Sequence, residues 1–407
     1  MNADLRGYAL VTGAYWGFTL SDGALRMLVL LHFYSLGYSP FDIALLFLLY
    51  EFCGVLTNLF GGWLGARLGL KVTLFAGMGL QVAALAMLAM LQPHWPPLWS
   101  VCFVMAAQAL SGIAKDLTKM SAKSAVKLLV PEDAQGALFK WVALLTGSKN
   151  ALKGAGFFLG GVLLAAFGFR DSLLAMAGAL ALVLLATVLA LPRDMGRAKA
   201  KTKLVQVFSK SREINALSAA RLFLFGARDV WFVVGLPLFL AAELGWGHVE
   251  VGGYLAAWVI GYGFIQAGVP KLLGGGEAPD GGTARIAVAV LCLVTAAIGT
   301  AVALDWAPGW SVIVGLAVFG AVFALNSAVH SYLILAYSSS ERVSLDVGFY
   351  YMANAGGRLL GTLTSGFAYQ WGGIEGCLWT AAGFLVLAYL LSLALPQRQV
   401  KIGAAVS

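Results

Sequence analysis

The chain has 407 residues, of which 60% are hydrophobic and 11% charged. That composition belongs to a membrane protein and excludes an ordinary soluble domain. The formal charge of +8 does not point to nucleic acid, because the placement of the basic residues in loops already accounts for it.

A span needs about 20 apolar residues. Runs of that kind recur twelve times, near 7–34, 40–64, 70–91, 98–121, 137–167, 171–191, 215–242, 249–272, 284–304, 309–336, 346–370 and 374–395. The first is too long for a cleavable signal peptide and holds Asp22 and Arg26 inside it. Numbered from a cytoplasmic N-terminus, the inside loops and tails collect Lys and Arg, and the outside loops hold only Arg170. The positive-inside rule therefore predicts an inner (plasma) membrane protein with both termini in the cytoplasm. Between spans six and seven lies PRDMGRAKAKTKLVQVFSKSRE, with seven Lys and Arg. It reads as a cytoplasmic linker, 192–214, joining an N-terminal half, 1–191, to a C-terminal half, 215–407.

The halves resemble each other weakly. LeuGlyTyrSer at 36–39 ends span one and LeuGlyTrpGly at 244–247 ends span seven. Span five laid on span eleven brings Gly156 onto Gly361, Gly161 onto Gly366, Lys149 onto Asn354 and Lys153 onto Arg358. Parallel repeats of this kind place a binding site between the halves. The predicted fold class is thus an all-α membrane protein of twelve transmembrane helices in two pseudo-symmetric six-helix halves.

Well inside the spans, away from their ends, lie seven cations (Arg26, Lys115, Lys149, Lys153, Arg221, Arg228, Arg358) and four carboxylates (Asp22, Glu51, Asp116, Asp229). A Lys at the bilayer centre costs roughly 2.5–3.5 kcal/mol on insertion scales, so such residues face the bundle interior or a wet cavity and mark a substrate path. An excess of positive charge predicts an anionic substrate. Lys149 and Lys153 are one helical turn apart and face the same way. Tyr351, Asn354, Arg358, Thr362 and Ser365 form a polar stripe on span eleven, and Gln108, Lys115 and Lys119 share a face of span four. Arginine's planar fork suits bidentate phosphate or arsenate, and lysine supplies a compact charge. The candidate substrate-binding residues are Arg26, Lys115, Lys149, Lys153, Arg228, Asn354 and Arg358. Lys149 and Lys153 make one pole, and Arg228 with Arg358 the other.

Other residues keep two readings. Asp22 and Arg26, one turn apart, make either a closed intrahelical pair or part of the site. Glu51 has no partner in its own helix and is either a proton carrier or the ion-pair partner of a Lys across the bundle. Asp229 either pairs across to another helix or carries a proton. Lys119, near the cytoplasmic edge, reads as solvated. Gly156-x-x-x-Gly160, with Gly161, is a small-residue face for close helix packing. The four cysteines fall in separate spans, and no Cys/His cluster suggests a metal site or disulfide framework. Nothing implies a cofactor, and no HExxH, Gly-x-Ser-x-Gly or comparable motif points to an enzyme.

Twelve spans, a basic central loop and two halves resemble the major facilitator superfamily. The loop after span two, GWLGARLGLK at 62–71, is similar to that superfamily's cytoplasmic gating motif. Gly62, Arg67, Gly69 and Lys71 match it, while Ala66 replaces the usual Asp that helps lock the inward gate. The runs GAYWGFTLSDGALRMLVLLHF (13–33), GIAKDLTKMSAKSAVK (112–127), TGSKNALKGAGFFLGG (146–161) and FGARDVWFVVGLPLF (225–239) resemble the ArsJ-type organoarsenical efflux permeases. That resemblance implies export of 1-arseno-3-phosphoglycerate, formed when a glyceraldehyde-3-phosphate dehydrogenase uses arsenate in place of phosphate, and hence arsenate resistance. It also implies a functional partnership with that dehydrogenase, and the superfamily resemblance implies a monomer in the lipid bilayer. A sugar- or glycerol-phosphate exchanger is the alternative. No residue roles come with the arsenical resemblance.

Overall fold

In hydrocarbon every backbone N–H and C=O has to be satisfied within the chain, and helices do this segment by segment. The computed structural model describes residues 3–68, 70–129, 135–191, 211–272, 279–338 and 343–397, and all its regular structure there is helical. The helices are α1 (Ala3–Ser35), α2 (Pro40–Leu46), α3 (Leu48–Leu68), α4 (Leu70–Ala89), α5 (Pro97–Leu129), α6 (Gln135–Ala190), α7 (Arg212–Val230), α8 (Leu236–Ala242), α9 (His248–Leu272), α10 (Gly281–Ala303), α11 (Pro308–Tyr337) and α12 (Val343–Ser392). A π-helical turn, Trp231–Gly235, joins α7 to α8. Most of the 192–214 linker lies outside the described residues.

Eight helical stretches among the described residues are long and apolar enough to cross a membrane, against the twelve apolar runs of the sequence. Two of the eight, Ser148–Ala190 and Asp346–Ser392, each cover two expected spans because no loop separates them. α1 and α9 fall outside the set. α1 owes this to an inward stripe: Thr12, Thr19, Ser21, Asp22 and Arg26 are all buried. The surface is the reverse of a water-soluble one. Leu189 and Phe264 are 78% and 74% exposed, whereas Glu51 and Asp116 are 0% exposed.

The two long helices break at glycine. Gly168 (φ 72°, ψ −172°) interrupts α6, and Gly373 (φ 57°, ψ −152°), after Gly372, interrupts α12. This part of backbone space is essentially reserved for glycine. The breaks stand 205 residues apart (373 − 168), the offset that aligns spans five and eleven.

Close packing follows the same register. A Cβ on Gly156 would lie 2.5 Å from Leu20 O of α1, and one on Gly361 would lie 2.6 Å from Gly226 O of α7. A Cβ on Gly161 would lie 2.3 Å from His248 O of α9, and one on Gly366 would lie 2.5 Å from Pro40 O of α2. α6 is thereby wedged between α1 and α9, and α12 between α7 and α2. Near this end of the bundle His32 stacks on Phe169, ring centroids 4.1 Å apart, and Phe41 N donates to Gln370 Oε1 at 3.3 Å.

The π-helical turn sits in a fully buried segment and has a side-chain acceptor beside it. This is Ser365 Oγ, accepting from Val234 N at 3.2 Å and Gly235 N at 3.1 Å. Trp231 packs edge-on against Trp258 and Phe319 beside it.

Candidate functional site

Helices α1, α3, α5, α6 and α12 enclose a cavity of about 160 Å³. Its cations are Lys115 and Lys119 from α5, Lys149 and Lys153 from α6, and Arg358 from α12. Its carboxylates are Asp22 and Asp116. Lys153 and Arg358 each lie 15 residues ahead of the glycine break in their own helix (168 − 153 and 373 − 358). At 1.5 Å rise per residue that is about 22 Å along the axis of each helix.

Both carboxylates on the cavity are already engaged. Asp22 Oδ1 accepts from Tyr50 OH at 2.6 Å. Asp116 forms an ion pair with Lys119 and accepts from Thr57 Oγ1 at 2.7 Å and Asn58 Nδ2 at 3.2 Å. Lys119 also donates to Asn58 Oδ1 at 2.7 Å. It is part of a side-chain network on the cavity, not the solvated edge residue its position suggested. Lys115 and Lys153 differ: neither forms an ion pair or hydrogen bond among the described residues. Lys115 Nζ lies 4.1 Å from the centroid of the Tyr50 ring, and Lys153 Nζ lies 5.7 Å from that of Phe157. Aromatic faces steady a cation without neutralising it.

Behind this lining is a second layer of charge. Glu51 Oε1 accepts from Arg26 Nη2 and from Arg358 Nη2, each at 2.6 Å. Arg26 therefore pairs with Glu51, and the intrahelical Asp22–Arg26 pair does not form. Glu51 is a cross-bundle ion-pair partner, but of two arginines and not of the expected Lys. Arg358 Nε stands 3.4 Å from Asp229 Oδ2, and Arg228 Nε donates to Asp229 Oδ1 at 2.6 Å. Arg228 packs among Phe225, Phe232 and Phe323. Arg26 and Arg228 do not line the cavity, so of the four cations assigned to two poles, Lys149, Lys153 and Arg358 face it and Arg228 stands one layer back.

Asn354 lines the cavity and Tyr351 beside it does too, whereas Thr362 and Ser365 of the same stripe are buried in packing. Gln108 is also buried, away from the lining. Among the described residues no His/Cys/Asp/Glu group is arranged to hold a metal.

Residues 11–275 match the family model of the Major Facilitator Superfamily. The chain belongs to the Major Facilitator Superfamily. It is therefore a multi-pass membrane transporter embedded in the bilayer, not an enzyme. No curated protein matches the chain. Of the superfamily's gating motif, Gly62, Arg67 and Gly69 lie outside the described side chains. Lys71 is described, and its Nζ donates to Leu191 O at 3.2 Å.

Sequence reasoning missed Tyr15, Phe18, Asn58 and Tyr50. Each is an ordinary membrane-helix residue by type. Only the charges they touch, Asp22 and Lys115 for Tyr50 and Asp116 and Lys119 for Asn58, mark them.

Proposed function

We propose that this transporter exports 1-arseno-3-phosphoglycerate by alternating access and so confers arsenate resistance. The observation that carries the reading is the cavity's charge. Five cations line the cavity, of which Arg358 pairs with Glu51 and Asp229 and Lys119 with Asp116, while Lys115 and Lys153 form no ion pair within 4.0 Å among the described residues. An uncompensated cluster at membrane depth is tolerable when a multiply charged anion visits it. The cavity's roughly 160 Å³ falls below the ~300–1,000 Å³ of sites for drug-sized molecules. A three-carbon unit with an oxyanion at each end suits it, and a nucleotide or lipid does not.

In this reading twelve traverses form halves 1–191 and 215–407 around the linker, with Gly168 and Gly372–Gly373 making the turns inside α6 and α12. Lys149 and Lys153 provide the pole of the N-terminal half, and Arg358 that of the C-terminal half. Arg26 and Arg228 act at one remove, through Glu51 and Asp229. The close packing of α6 on α9 at Gly161 and of α12 on α2 at Gly366 supports entry of the anion from the opposite side, the cytoplasm of the inner-membrane assignment. A potential negative inside favours its expulsion by about 2.3 kcal/mol per charge per 100 mV. The cargo comes from a glyceraldehyde-3-phosphate dehydrogenase acting on arsenate.

A second reading, exchange of sugar or glycerol phosphates, rests on the same lining, because lysine and arginine bind oxyanion oxygens whether the centre is arsenic or phosphorus. The test is arsenate resistance in cells co-expressing the dehydrogenase, beside uptake into everted vesicles. Arsenical export predicts resistance in which Lys149→Met, Lys153→Met and Arg358→Met each fail while still reaching the membrane. Wild-type resistance from all three ends the proposal. Strong displacement of cargo by glycerol phosphate and inorganic phosphate selects the exchanger.

A further inference from the structure

Arg221 is 4% exposed and has no carboxylate within 4.0 Å among the described residues. Its guanidinium lies 3.9 Å from the centroid of the Phe225 ring. Its Nε donates to Asn354 Oδ1 at 2.9 Å, and Nη1 donates to Ser327 O at 3.4 Å. The two ends of an asparagine amide look alike by shape, and the hydrogen-bond network decides which is oxygen. A guanidinium only donates, so the end facing Arg221 is the oxygen. Asn354 lines the cavity, and its Nδ2 has no hydrogen-bond partner among the described residues yet is not a buried unsatisfied atom. It is the end left accessible.

We infer that Arg221 is a positioning residue: it locks the Asn354 amide so that only N–H donors face the ligand beside Lys153 and Arg358, and this selects a fully deprotonated oxyanion over one still carrying an acidic hydroxyl. The inference rests on the proposed anion site and deepens it. An oxyanion without protons offers only acceptors, which a fixed donor can meet. A protonated oxyanion must place its O–H somewhere; a locked Nδ2 cannot accept it, and the lining carboxylates Asp22 and Asp116 already accept from Tyr50 and from Thr57, Asn58 and Lys119. Sites that leave a polar group unmatched reject the wrong ligand strongly.

The test uses the full-length purified protein in lipid nanodiscs with 3-phosphoglycerate as probe. Binding is titrated on either side of the phosphate's second ionisation, about pH 6. The wild type prefers the dianion. Arg221→Met frees the amide to turn, and the preference should fall about tenfold, chiefly by loss of dianion affinity. Arg221→Lys, which can still donate to Oδ1, should restore most of it. Asn354→Ser, whose hydroxyl both donates and accepts, should relax the preference without touching Arg221, and serves if Arg221→Met misfolds. An unchanged pH profile in Asn354→Ser or in folded Arg221→Met overturns the positioning role and leaves the anion site standing. Failure of the wild type to bind 3-phosphoglycerate at all overturns the proposed site instead.

Discussion

Arg358 Nη2 and Arg26 Nη2 donate to the same atom, Glu51 Oε1, at 2.6 Å each. Glu51 is thus an internal anion for the one guanidinium of α12 that reaches the cavity. A ligand oxyanion arriving at Arg358 competes with it. The link between Glu51 and Arg358 spans 307 residues and ties α3 to α12.

Replacing Glu51 by Gln should therefore do two things. Two buried guanidinium groups lose their shared charge, and breaking a buried pair typically costs about 3–5 kcal/mol, so the melting temperature should fall. 3-Phosphoglycerate should raise it by more in the variant than in the wild type, because the competitor is gone. A smaller ligand-induced shift in Glu51→Gln would contradict the internal-anion role. Thermal melts with and without ligand decide it.

Lys115 and Lys119 make opposite forecasts although they are one turn apart. Lys119 already has Asp116, whereas Lys115 has no ion pair among the described residues. Lys115→Met should weaken 3-phosphoglycerate binding by about 10- to 100-fold, the equivalent of a hydrogen bond to a charged group at ~1.5–3 kcal/mol. Lys119→Met should act mainly on stability, by leaving Asp116 with a buried charge. Isothermal titration of both variants separates the two effects.

The glycine breaks should resist substitution. Gly168→Ala and Gly373→Ala place a Cβ on a conformation that costs roughly 1–3 kcal/mol to hold, although nothing lies within 4 Å of either position. Gly79 is also in open space but within α4. There alanine should be neutral or stabilising by up to ~1 kcal/mol. Melting temperatures of the three variants provide the comparison, and equal effects would remove the strain explanation.

Ser365→Ala removes the acceptor shared by Val234 N and Gly235 N. A lost intramolecular hydrogen bond of this kind costs about 0.5–1.5 kcal/mol. The variant should lose that much stability, and Ser365→Thr, which keeps the hydroxyl, should lose less. Denaturation midpoints of the pair measure the difference.

Sequence patterning determined more about this protein than its charges did. Apolar run length and the glycine register were readable because each is a one-dimensional property: a helix must be long enough to cross, and equivalent positions recur at a fixed offset. The offset of Gly156 to Gly361 and Gly161 to Gly366 reappears as matching contacts, α6 on α1 and α9, α12 on α7 and α2. Which intramembrane charges face the cavity was not readable in that way. Asp22 and Arg26 share a helix turn yet bond to Tyr50 and Glu51 respectively, and Arg228 turns toward Asp229 while Arg358 reaches the lining. The partner of a long charged side chain depends on how neighbouring helices are rotated and how closely their glycines let them approach. Only the packed bundle fixes those two quantities.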